Sequence, residues 1–394
     1  MKKTLYIFLP LLAFSLNADA QSRIDSVLLS IATNNKTIQA NIQFWEAKKM
    51  EFKTGLTPYN PKLDYDYLNG SPVGAGNQTD FAVTQSFDFP TAYSKKKQLS
   101  NEQIEQAEFK LISTRQDILL EAKLVCIELV YRNKFQMGIT KRKQNAEKLL
   151  SDFQKRLDKG EGNILDLNKA KLQLIEIIAN FQENTSAINQ LNQKLTELNG
   201  GNLITFTDIA YSEYPSLPAF EVLEREIEAN DPVRKFLEQQ KVIEQKQVEL
   251  SRAMSLPKLE TGYHYQAILG QKFNGIHFGL TVPLWENKNK VKTQQNKLTF
   301  AELNLQDHDN EHYFHIQQTY EKQQNLRITL EEYKPLFEGL NTVELLNKSL
   351  TLGEISSIEY FMEMTYYYEA LKKYLKTEKE YHQVIAELYK YTLS

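Results

Sequence analysis

Pro61–Pro90 reads PKLDYDYLNGSPVGAGNQTDFAVTQSFDFP, and half a chain later Pro257–Pro283 reads PKLETGYHYQAILGQKFNGIHFGLTVP. Each stretch opens on Pro-Lys-Leu, alternates apolar with polar side chains, crosses a loop, alternates again and closes on proline. The opening prolines stand 196 residues apart and the closing ones 193, so the second loop is the shorter. Period-2 alternation is the mark of a β-strand with two different faces. Each stretch therefore reads as a β-hairpin, with strands of about nine to eleven residues, the length of a membrane-spanning strand. In the first hairpin Leu63, Tyr65 and Tyr67 share one face and Asp64 and Asp66 the other, and in the return strand Phe81, Val83, Phe87 and Phe89 alternate with Ala82, Thr84, Ser86 and Asp88. In the second, Leu259, Tyr263, Tyr265, Ile276, Phe278 and Leu280 oppose Glu260, His264, His277 and Thr281.

Around the hairpins the pattern is helical. Val27, Ile31, Ile38, Ile42 and Trp45 predict one helix from Ile24 to about Lys53. Neither proline nor glycine interrupts the chain between Pro90 and Gly138, and the next strong stop is Gly160. A helix over those 70 residues would span roughly 105 Å, a rod rather than a globular helix; Gly138 is its weak point. Leu167, Leu174, Phe181, Ile188 and Leu195 then repeat every seven residues, as a returning coiled-coil helix does. Gly200-Gly201 stops it, and 202–229 reads as a linker with a short strand or irregular patch. Pro232 suits the first turn of the next helix. From Pro283 a second rod is expected to reach Gly353, kinked at Pro335, before a last helix from about Ser357 to Tyr391.

The boundaries that follow are a signal peptide over 1–20, a first repeat over 21–201 with its hairpin at 61–90, the linker over 202–229, and a second repeat over 230–394 with its hairpin at 257–283. The leader is expected from Lys2 and Lys3, the apolar run to Leu16 and Ala18-Asp19-Ala20. The fold class is mainly α with a β-barrel portion, internally duplicated on a helix–strand–strand–helix plan.

Four strands cannot close a barrel, for which about eight are needed. Open edges cannot sit in lipid, where unpaired backbone groups find no partner. Several chains must therefore share the barrel, and three would supply twelve strands, with their helices gathered into a tube.

The duplicated plan, the PKL openings, GLTVPLW at 279–285, and the two glycine tips LDKGEGNILDL (157–167) and LTLGEISSIEY (350–360) resemble the outer membrane efflux protein family, the TolC-like trimeric channels. The compact length is more similar to the heavy-metal-efflux branch. The resemblance covers essentially the whole chain after the leader. It implies a homotrimer with a 12-stranded outer-membrane barrel continued by an α-helical periplasmic tunnel, docked to a periplasmic adaptor and an inner-membrane transporter. It makes Gly160, Glu161, Gly353 and Glu354 adaptor-contact residues at the periplasmic tips. Tyr65, Tyr67, Phe87, Tyr263, Phe278 and Leu280 are read as facing outer-membrane lipid. Asp166 and Glu359, 193 residues apart, are candidates for an acidic gate favouring cations, or else acids placed at the positive end of a helix.

Composition restricts the alternatives. The 394 residues carry a net charge of −3, with only 15 glycines and 11 prolines. No basic excess suggests nucleic acid. The one cysteine, Cys126, reads as a buried structural residue. No catalytic constellation, cofactor motif or assigned metal site is found; His308, His312 and His315 share one helix face, which reads either as a metal site or as a solvated surface. The expected function is a passive exit duct of a tripartite efflux system for metal cations or small toxic compounds, not an enzyme. The alternatives are a type I secretion duct for a protein, or a periplasmic coiled-coil adaptor or structural protein.

Overall fold

The computed structural model describes residues 23–214, 216–338 and 341–393; the expected leader at 1–20 lies outside them. The first half runs α1 (Arg23–Asn34), α2 (Lys36–Phe52), β1 (Lys62–Leu68), β2 (Gln78–Phe87), α3 (Pro90–Asp158) and α4 (Ile164–Leu198). The second runs α5 (Phe220–Asn230), α6 (Pro232–Ala253), β3 (Lys258–Ile268), β4 (Gln271–Thr281), α7 (Lys290–Glu338), α8 (Thr342–Leu352) and α9 (Ser357–Leu388). The order of elements is the same in both, except that the second rod is in two pieces.

The first rod is a single helix of 69 residues, roughly 100 Å long. It starts with Pro90 at its first turn, where a missing N–H costs nothing, and it runs unbroken through Gly138. The heptad residues of α4 lie along α3. Leu195 and Ile188 join the core of α1, Phe181 and Leu174 pack around Ile139 and Ile177, and Leu167 sits with Phe153. Asn184 is buried in this seam. Its amide donates to the Arg132 carbonyl (2.9 Å) and to Gln136 Oε1 (2.7 Å), a pairing that holds the two helices in one register.

The second rod departs from expectation at both ends. After Pro283 the chain turns through 284–289, where Asn289 takes a positive φ of 66° and Asn287 Nδ2 donates to the Met254 carbonyl (2.9 Å). The helix therefore begins at Lys290. It passes Pro335 but ends three residues later at Glu338. Pro335 supplies no N–H and its ring crowds the carbonyl one turn back, yet the helix continues through it, and α8 begins at Thr342.

The expected helix from Ile24 to Lys53 is two helices. Asn35 leaves helical geometry (φ −61°, ψ 124°) and caps α2, accepting from the Ile38 N–H, while its Nδ2 donates to the Leu198 carbonyl (2.7 Å). Asp231 does the corresponding work between α5 and α6, accepting from the Val233 and Arg234 N–H groups. Part of the segment read as linker, 220–229, is thus helical, within α5. The stretch with strand character, 203–211, pairs with no strand; Phe206 is fully buried, and its N–H donates to Asn192 Oδ1 (2.8 Å).

Each half has its own apolar core near these junctions. Ile31, Leu119, Cys126, Leu129, Val130 and Leu195 surround Phe206 in one. Leu223, Ile227, Ile316, Val384 and Leu388 form the other. Cys126 is fully buried, and burial pushes its thiol up to about 12, which makes it unreactive.

The four strands form one antiparallel sheet in the order β1-β2-β3-β4. β1 has only seven residues, fewer than expected, and a loop with a short 3-10 turn at Val73–Ala75 joins it to β2. The second hairpin is tighter than its sequence suggests. β3 and β4 have eleven residues each and meet at a two-residue turn, Leu269-Gly270, with both φ values positive (51° and 79°). That turn twists with the strands, and Gly270 takes its conformation without strain.

Candidate functional site

The register of the sheet decides which side chains act together. Tyr65 pairs with Phe81, Phe81 with Tyr265, Val83 with Tyr263, Tyr263 with Ile276, Phe87 with Leu259, and Leu259 with Leu280. Paired residues in antiparallel strands point to the same side. All six aromatic and aliphatic residues singled out from the sequence, Tyr65, Tyr67, Phe87, Tyr263, Phe278 and Leu280, therefore lie on one face, drawn from both hairpins. The face is bare: Ile276 is 74% and Phe278 79% exposed. Among the described residues no helix makes an extended contact with the sheet. A soluble sheet would cover such a face with a core, and this one does not.

The opposite face is polar. Ser86 Oγ donates to Glu260 (3.0 Å), and His277 Nε2 lies 3.4 Å from the same carboxylate. The Val83 carbonyl approaches Gly262 so closely that a Cβ there would stand 2.5 Å away. Beyond β4, Val282, Leu284 and Trp285 stay largely exposed. Among the described residues no helix is long and apolar enough to cross a membrane. That finding does not bear on β-strands.

At the far end of α3 the chain turns through Gly160 and Glu161. Gly160 N–H bonds to the Leu157 carbonyl and Glu161 N–H to that of Arg156. After α8, Gly353 bonds to Leu350 and Glu354 to Ser349 in the same two-bond pattern. Both glycines have left-handed φ values, 74° and 77°, as this helix ending requires. Asn163 and Ser356 then cap α4 and α9. The two turns belong to the same end of the molecule, since Phe361 of α9 packs against Phe153 and Leu167.

Asp166 and Glu359 both occupy the third position of their helices. Glu359 closes a capping box. Its Oε2 accepts from the Ser356 N–H (2.7 Å), and this bond holds its carboxyl below the usual range. That carboxylate serves the helix end; Asp166 lies in the first turn of α4.

Apolar side chains also stay exposed along the helices. Leu165, Leu172 and Ile175 mark one face of α4, and Ile358, Met362 and Tyr366 one face of α9. They were not singled out from the sequence, although the spacing on each helix is regular enough to have done so.

The histidines separate into different environments. His382 is half-buried, stacked on Tyr211 at 4.1 Å, and desolvation beside Lys134 lowers its imidazole to about 4. His308 and His312 face Asp231, and burial pushes His312 below its ordinary value. The histidine face on α7 is therefore not simply solvated, and its partner, the α6 cap, was not foreseen.

This arrangement of long paired helices with a four-stranded hairpin sheet at one end is the fold of TolC-like outer membrane channels. The Campylobacter jejuni CmeC outer membrane channel superposes with a TM-score of 0.73 at 15% identity, covering 93% of this chain and 85% of that one. The outer membrane protein VceC of Vibrio cholerae gives 0.70 at 11% identity over 94% of each chain. The open state of the Neisseria gonorrhoeae MtrE outer membrane channel gives 0.60 at 12%, over 94% and 89%. At such identities the likeness establishes the fold, and it does not single out the heavy-metal branch. No protein-family model and no curated protein matches the sequence.

Proposed function

We propose that this chain is one third of a homotrimeric outer membrane channel, the passive exit duct of a tripartite efflux system. The observation that carries this reading is the sheet, whose register-aligned apolar face is bare and whose outer strands, β1 and β4, each leave an edge without a partner among the described residues. Lipid suits the face, and the edges of neighbouring chains suit the edges. Three copies supply twelve strands, and their helices continue the barrel as a periplasmic tunnel. Trp285 and the sheet tyrosines suit the aromatic girdle at the membrane boundary. The exposed apolar faces of α4 and α9 suit packing against helices of adjacent protomers. The repeated element order reflects an internal duplication, with halves near 21–201 and 230–394.

Gly160, Glu161, Gly353 and Glu354 would meet a periplasmic adaptor, and an inner-membrane transporter would supply the energy, with metal cations or small toxic compounds as cargo. Asp166 is the better candidate for an acidic ring in the trimer, because the Glu359 carboxylate is engaged by its own helix end. An adaptor or structural rod is disfavoured, because neither use explains a bare membrane-length sheet. A type I duct for a protein would use the same architecture.

Membrane fractionation with gel mobility before and after heating tests the reading. An outer-membrane trimer that dissociates on heating and conducts ions in planar bilayers is expected. A soluble periplasmic monomer would overturn it. Deletion followed by growth on metals, dyes and antibiotics identifies the cargo.

A further inference from the structure

Asp231, His308 and His312 come from two elements 77 residues or more apart and converge on one point. His308 and His312 stand one turn apart on α7, their rings stacked at 5.3 Å and 15°. Their Nε2 atoms lie 3.1 and 3.8 Å from the same oxygen, Asp231 Oδ2. The three donor atoms all fall within 4.8 Å of one another. Donors around a tetrahedral ion with bonds of ~2.0–2.2 Å stand roughly 3.3–3.5 Å apart. A small contraction brings this set onto one ion.

Asp231 is held in place for the purpose. It is buried, and the N–H groups of Val233 and Arg234 orient its carboxylate. The Arg234 guanidinium turns instead to Glu228 and Asp309. On the open side lies a cavity of about 270 Å³ lined in part by His315, Thr319 and Glu387, which leaves room for a water or a further ligand.

The first half shows that the corner can be built without these donors. By the 196- and 193-residue offsets, Asp231 corresponds to Asn35, His308 to Arg115, His312 to Leu119 and His315 to Ala122. Leu119 and Ala122 are buried core residues, and Asn35 caps its helix while its amide donates to the Leu198 carbonyl. Capping and packing therefore require neither the carboxylate nor the imidazoles. The second half carries them in addition.

We propose that Asp231, His308 and His312 bind one divalent transition-metal ion of the zinc class, tying the start of α6 to α7. Two imidazoles and a carboxylate form a borderline donor set suited to such ions. The site stands whether or not the chain forms a channel.

The test uses the full chain purified in detergent and stripped with chelator, titrated with Co²⁺ and then with Zn²⁺. One Co²⁺ per chain with tetrahedral visible absorption, displaced by Zn²⁺, is expected. Asp231→Asn keeps the cap, since asparagine caps as well as aspartate; His312→Leu restores the residue of the first half. Each should weaken binding at least tenfold. Equal binding by wild type and both variants, or none by wild type, would overturn the site. X-ray absorption of the zinc-loaded wild type gives a reading that needs no variant: two imidazoles among nitrogen and oxygen ligands are expected, and a shell without imidazole would sink the proposal.

Discussion

Asn35 and Asp231, 196 residues apart, each end one short helix and cap the next with a side-chain oxygen. Their second contacts differ: Asn35 Nδ2 donates to the Leu198 carbonyl at 2.7 Å, whereas Asp231 Oδ2 lies 3.1 Å from His308 Nε2. The two positions should differ in their response to substitution. Asn35→Ala removes a cap worth ~1 kcal/mol and leaves a buried carbonyl unpaired, adding ~1–3 kcal/mol. Asn35→Asp keeps the cap and loses the donor, so an intermediate loss is expected. Thermal unfolding of the purified protein measures both, and equal stability of the three forms would contradict the assignment.

The sheet makes a prediction about sidedness. Phe278→Arg or Leu280→Arg places a charge on the apolar face and should cost ~2–4 kcal/mol if it sits near the bilayer midplane. Thr281→Arg lies on the polar face beside Lys258 and should mainly alter conductance. For the proposed channel, the yield of heat-dissociable trimer in the outer membrane reports the first effect, and single-channel current the second. If all three variants assemble alike, the apolar face does not meet lipid.

The tip glycines should not be equivalent to their neighbour. At Gly160 a Cβ meets no atom within 4 Å, so alanine there faces only the strain of a left-handed φ of 74°, about 1–2 kcal/mol. At Gly162 a Cβ would stand 2.6 Å from the Leu157 nitrogen, and the turn must open. Hydrogen exchange at 157–165 should rise more in Gly162→Ala than in Gly160→Ala. The reverse order would mean that backbone conformation, not close approach, governs the tip.

His382 supplies a pH dependence of stability. Its folded imidazole titrates at about 4, against 6.5 ordinarily, because burial and Lys134 disfavour the cation. Between those values the unfolded chain binds more protons, so stability rises with pH. The contribution is complete above about pH 6.5 and is lost as pH falls toward 4, on the order of 3 kcal/mol. His382→Phe keeps an aromatic ring against Tyr211 and should flatten the melting profile over that range. An unchanged slope would exclude His382 as its source.

Much of the architecture is legible without coordinates, because it is encoded locally. Alternation from Leu63 to Tyr67 and from Ile276 to Leu280 defines strand faces whatever they pair with. The same holds for the unbroken run after Pro90, the heptads from Leu167 to Leu195, and the glycine stops at Gly160 and Gly353. Each depends on neighbours within a turn or two.

The tertiary structure decided what depends on distant partners. It joined both hairpins in one sheet by pairing β2 with β3, which made two apolar faces into one. It broke the first helix at Asn35, where a bond to Leu198 helps hold a non-helical backbone, and it ended α7 beyond Pro335 rather than at Gly353. It also set His308 and His312 against Asp231, a meeting that helical spacing alone could not foresee. A side chain's own period determines which way it points; only packing between separate elements determines what it meets.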